Sequence, residues 1–135
     1  MVAKIKKTIV NIITNPSLIS LVFMGKRRII NKYNLTFDLS NPLINLRDIG
    51  FILWGLYEKS EIRFINKYLS EYRNCNILEL GGSLGIVSCI ISKNISKTQH
   101  LTIVEANPEL VPIIKSNMES QVSKINFSVK NRHLY

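Results

Sequence analysis

The chain is poor in the residues that build metal centres and disulfide frameworks: 135 residues hold two cysteines and two histidines. Cys75 and Cys89 form no Cys-x-x-Cys and have no histidine at ligand spacing, which argues against zinc. Two thiols without a pairing pattern read as reduced, partly buried cysteines of a cytoplasmic protein. Long apolar runs are also missing. The best, Ile9 to Met24, is interrupted by Asn11, Thr14, Asn15, Pro16, Ser17 and Ser20, whereas a spanning helix needs about 20 mostly apolar residues. No small-residue cleavage site follows, so this segment does not read as a signal peptide, and the sequons at Asn34, Asn94 and Asn126 read as chance matches. Acids are scarce, nine against eighteen bases, leaving a net charge of +9. Such a balance suits an anionic partner, but aromatic residues do not interleave with the basic ones, which argues against nucleic acid.

What remains is an ordinary globular composition, 46% hydrophobic and 20% charged, of a length for one domain. Residues 1–33 read as two or three short helices. Ile5, Ile9, Ile12 and Ile13 keep helical spacing, Asn15-Pro16 breaks it, and Gly25 stops the second segment before Lys26-Arg27-Arg28. Two roles stand for this segment: packing on the domain or on a partner subunit of a homo-oligomer, or lying on an anionic membrane with the lysines among the headgroups. Residues 33–40 look extended by alternation, and Asn41-Pro42 is a turn. The expected boundary falls there, with a helical extension over 1–42 and an α/β domain over 43–135.

That domain is organised by one stretch. Ile77 to Leu80 reads as a buried parallel strand. Gly81 and Gly82 end it, and Ser83 is expected to cap a helix entered at Leu84. A strand turning through glycines into a helix gathers backbone N–H groups at the positive helix end, a place for a nucleotide-like ligand. A dinucleotide site would want Gly-x-Gly-x-x-Gly, and Ser83 stands where its second glycine should be. Glu79, at the strand's carboxyl end, is placed to attract a cation. Glu105 closes a second strand, His100 to Glu105, where a carboxylate accepts hydrogen bonds from ribose hydroxyls. A third strand follows through Ile125, Phe127 and Val129, with Asn131 just past its end. The alternation predicts a parallel, Rossmann-like, three-layer α/β sheet in the order 3-2-1, half of a doubly wound fold.

Glu79-Leu80-Gly81-Gly82-Ser83-Leu84-Gly85, with Val104-Glu105-Ala106-Asn107-Pro108, resembles the class I S-adenosylmethionine-dependent methyltransferases. Within them the chain is most similar to the FkbM-type group, on Tyr57-Glu58-Lys59-Ser60-Glu61, the Glu-x-Asn-Pro after strand two, and Asn117. It departs from the usual form in Glu79 for Asp and in Gly82-Ser83 for Ala-Asn. The resemblance implies S-adenosyl-L-methionine as cofactor and O-methylation of a hydroxyl on a sugar, glycan or natural product. It places Glu58, Glu79, Gly81, Gly82, Ser83, Leu84, Gly85, Glu105, Ala106 and Asn107 at the cofactor, and Asn131 at the adenine edge. Glu58 and Glu61 also read as first-turn acids favoured by the helix dipole, and Asn131 as a turn residue. A complete enzyme of this class continues through four more strands, so the chain is expected to be the cofactor-binding portion. No catalytic residue is assigned: His100 precedes a strand, and His133 stands alone in the tail. Two other functions remain open: a non-catalytic remnant or interaction module, and a NAD-binding oxidoreductase, which Ser83 disfavours.

Overall fold

The computed structural model describes residues 2–121 and 125–132, so His133 lies outside the described residues. The chain forms two compact units, Met1–Lys32 with Phe37–Tyr57, and Tyr33–Thr36 with Glu58–Tyr135. The units therefore part between Tyr57 and Glu58, later than the expected boundary at 42/43, because the helix after Pro42 packs with the N-terminal segment.

In the first unit, α1 (Val2–Ile13) and α2 (Pro16–Val22) are separated by Asn15, whose side chain accepts the Ser17 N–H while Pro16 occupies the first helical position. Asn45 caps α3 (Leu46–Leu53) in the same way, accepting from Arg47 N–H at 2.8 Å. Ile19, Ile30, Phe37, Leu39, Ile49 and Ile52 form the core. Gly50 is what lets α3 approach, since a Cβ there would stand 3.1 Å from the Thr14 Cα and 3.2 Å from Ile19. α1 contributes little to that core. Only its last turn is part-buried, and Ile5, Ile9 and Ile12 remain more than half exposed.

One expectation fails here. Ile29–Lys32, read as part of a helical segment, is strand β1, paired antiparallel with β2 (Leu35–Asp38). The turn between them has Tyr33 and Asn34 both at φ 55. Two successive left-handed residues define a type I′ turn, whose twist matches that of a hairpin.

The second unit runs α4 (Lys59–Tyr68), a short 3-10 turn (Leu69–Glu71), β3 (Ile77–Leu80), α5 (Ile86–Asn94), β4 (His100–Glu105), α6 (Val111–Gln121) and β5 (Asn126–Asn131). Its three strands are parallel, as the alternation predicts. Their order is β3-β4-β5, and the label 3-2-1 does not carry over because two strands precede the sheet. Glu79 pairs with Ile103 and Ile103 with Val129. With the period-2 alternation, Glu79, Ile103, Glu105 and Val129 therefore lie on one face. α5 and α6 pack on that face: Ser88 reaches Glu79, and Ile114 and Ile103 both crowd Gly82.

α5 is buried all round, from Ile86 to Ser92, between the sheet, α4 and α6. The opposite face bears Leu78 and Leu80, 62% and 58% exposed. Among the described residues the second unit thus has two layers, not the expected three. Gln99 ties the strand entrances together. Its amide donates to the Tyr72 and Cys75 carbonyls at 2.8 and 2.6 Å, and its oxygen accepts the Ser96 N–H.

Candidate functional site

The bend after β3 alternates handedness. Gly81, Ser83 and Gly85 have φ of 84, 48 and 75. Gly81 and Gly82 both donate to the Val104 carbonyl, at 2.8 and 3.2 Å, which fastens the bend to the end of β4. The glycines are needed for different reasons. A Cβ on Gly82 would lie 2.5 Å from Ile103 Cγ2, and one on Gly85 would lie 3.1 Å from the Ile114 Cα, so both permit close packing. Gly81 has nothing within 4 Å of its Cβ position. Its left-handed backbone faces open space at the carboxyl end of the sheet.

Ser83 does not cap the helix, contrary to expectation. α5 begins at Ile86 with Gly85 at the cap position. The Ser83 N–H instead donates to Glu105 Oε2 at 2.8 Å. Glu105 Oε1 accepts the Asn107 N–H, also at 2.8 Å. One buried carboxylate thus joins the glycine bend to the turn after β4. Asn107 in turn caps the following segment through Glu109 N–H. Ala106 is exposed beside it, and Leu84 is buried. Asn117, buried on α6, donates to the Leu84 carbonyl at 2.9 Å and fixes the bend from the other side.

Glu79 takes a different place from the one expected. It is 7% exposed, and its Oε2 accepts the Ser88 hydroxyl at 2.6 Å. Burial pushes its carboxyl up to about 7; the Ser88 hydrogen bond opposes this and the charge of Glu61 adds to it. At neutral pH it is close to half protonated, a poor magnet for a cation. Glu61, on the first turn of α4, is raised by burial and by the neighbouring charge of Glu58. Glu58 is exposed at φ 41, in the cap position of α4, with no capping bond from its side chain. Glu58, Glu61 and Glu79 therefore form one electrostatically linked acidic group, with its solvated end at the start of α4.

Asn131 is the last residue of β5 rather than a turn residue. Its amide donates to the Glu105 and Ala106 carbonyls at 2.8 and 3.0 Å, locking β5 to β4. Hydrogen bonds thus bring together the glycine bend, Glu105, Ala106, Asn107 and Asn131, whereas Glu79 faces inward to Ser88 and Glu58 stands at the start of α4. Sequence reasoning assigned Asn117 no contact. Its signal is a polar residue on the inward stripe of Ile114 and Met118.

Two cavities lie away from the bend. One of about 550 Å³ in the first unit is lined by Phe23, Met24, Lys26, Arg27 and Arg28 among others. One of about 450 Å³ runs along Glu71 to Cys75. Among the described residues no cluster of three or more His, Cys, Asp or Glu side chains could hold a metal ion. Comparison with protein-family models and with curated proteins yields no match.

Proposed function

We propose that the second unit is the S-adenosylmethionine-binding portion of a Rossmann-like O-methyltransferase. The observation that carries this reading is the pair of carboxylates on one sheet face, Glu79 and Glu105, flanking a left-handed glycine bend with open space over Gly81. The residues present fit the cofactor with two changes of role, at Glu79 and at Asn131. Each Glu105 oxygen accepts one backbone N–H and keeps a second lone pair, so ribose hydroxyls can still donate to it. Attraction of the cationic amino-acid end falls to Glu58 and Glu61, which carry charge nearer solvent, rather than to Glu79. Ala106 and Asn107 border the ribose end. Gly81, Gly82, Ser83, Leu84 and Gly85 supply the bend, with Gly82 and Gly85 packing it onto Ile103 and Ile114. Asn131 supports that end through backbone and does not read the adenine.

When bound, the cofactor supplies an activated methyl group on a sulfonium, and the chain's part is to bind and orient it. The acceptor is a hydroxyl of a small molecule, sugar or glycan.

Calorimetry with S-adenosylmethionine, S-adenosylhomocysteine and NAD tests the reading. Micromolar binding of S-adenosylhomocysteine is expected, lost in Glu105→Ala while circular dichroism stays unchanged. Binding of NAD alone would replace the reading with a nicotinamide-dependent oxidoreductase. One observation favours a second reading, an interaction module without catalysis: the exposed Leu78 and Leu80 on the uncovered face of the sheet. No binding of any nucleotide by a folded chain would favour it.

A further inference from the structure

The charge of the chain is unevenly placed. The first acidic residue is Asp38, and seven basic residues precede it. On the same stretch, exposed aliphatic side chains accumulate. Ile5, Ile9 and Ile12 are 52%, 52% and 56% exposed, and at and just past the end of α2 Leu21, Val22 and Met24 are 63%, 57% and 73% exposed. Ile5, Ile9 and Ile12 recur at helical spacing and so form one stripe on α1, with Lys4 and Lys6 on its two flanks. A helix of 12 residues whose apolar stripe has no partner is marginal in water.

α2 leads directly into the 550 Å³ cavity, whose lining passes from Phe23 and Met24 to Lys26, Arg27 and Arg28. Arg27 is paired with Asp38, while Lys26 is exposed. The order along the surface is aliphatic, then basic. No helix is long and apolar enough to cross a membrane among the described residues.

We propose that α1, α2 and the basic loop 26–28 form a docking surface for the face of an anionic phospholipid bilayer. The aliphatic stripe enters the acyl boundary, the flanking Lys4 and Lys6 lie among the headgroups, and the loop's cavity receives a lipid phosphate. Charge complementarity selects an anionic bilayer, since cations surround the stripe and no acid interrupts it. The large exposed apolar side chains between the cations are Ile, Leu, Val and Met, and the one aromatic there, Phe23, is half-buried. They suit acyl chains better than stacked nucleic-acid bases, which call for a series of flat aromatic faces.

Flotation of the full chain with vesicles of phosphatidylcholine, alone or mixed with phosphatidylglycerol, tests this. The chain is expected to float with the mixed vesicles only, and to be released by raised salt. Lys4→Glu and Lys6→Glu should each weaken binding by about fivefold or more. Ile9→Asn, at an exposed position that spares the fold, should weaken it at least roughly tenfold. Wild-type binding by Ile9→Asn overturns the proposal, as does equal binding to neutral vesicles. So does retention of an oligonucleotide with no vesicle binding, or self-association through this face with no vesicle binding.

Discussion

α1 and α5 are both rich in isoleucine, yet they occupy opposite environments. α5 is buried on every side, and its two serines are bonded, Ser88 to Glu79 and Ser92 to the Cys89 carbonyl. α1 leaves Ile5, Ile9 and Ile12 in solvent and is held chiefly at its end, where the Trp54 indole donates to the Ile13 carbonyl and Arg47 to Asn11. Apolar content alone therefore does not mark a core helix. What separates them is how polar groups are spread: three lysines in α1 face water along its first half, whereas α5 confines Lys93 and Asn94 to its last turn and its other polar side chains besides Cys89 are short hydroxyls that find partners inside.

The sharpest break in this comparison is truncation at matched residues. Ile90→Ala in α5 should cost about 2–5 kcal/mol, read as a lower denaturant midpoint. A change near zero would mean that α5 is not enclosed. Next comes pH. The Glu79 carboxyl is raised from 4.5 to about 7 by burial, so between those values the folded chain keeps a proton that the unfolded chain has released. Stability therefore falls as pH rises through that window, by roughly 3 kcal/mol in all. Glu79→Gln should remove that slope and make the chain more stable than wild type at about pH 8, measured by unfolding at several pH values. Gly82→Ala should then cost about 1–3 kcal/mol through the clash with Ile103, measured by thermal melting. The smallest effect belongs to α1: Ile9→Ala should shift stability by no more than about 0.5 kcal/mol. A larger loss would show that the exposed helix packs on something in solution.

Much of the parallel unit was legible in the sequence because its signals are local. β4 runs over His100–Glu105 as read, since an apolar run bounded by a charged residue and a turn has few alternatives. The start of α5 was misread because Ser83 has the chemistry of a cap, yet its N–H is claimed by Glu105, which lies 22 residues away. Glu79 was legible as a site acid, but its burial depends on Ser88 one helix turn into α5, which no strand pattern reveals. β1 was missed because four residues beside Lys26-Arg27-Arg28 are too short to show a period, and its strand character comes from the I′ turn that follows. The uncovered face of the sheet was invisible for a different reason: an alternating strand does not announce which of its two faces has a neighbour.

The two thiols differ as sharply as the two helices. Cys75 is exposed at the entrance to β3, while Cys89 is enclosed and its thiol is pushed up to about 12 by burial and the neighbouring Glu79. A maleimide should therefore modify the native chain at one position and reach the second only in molecules that have opened completely. The appearance of doubly labelled chain over time would count those openings without any engineered probe.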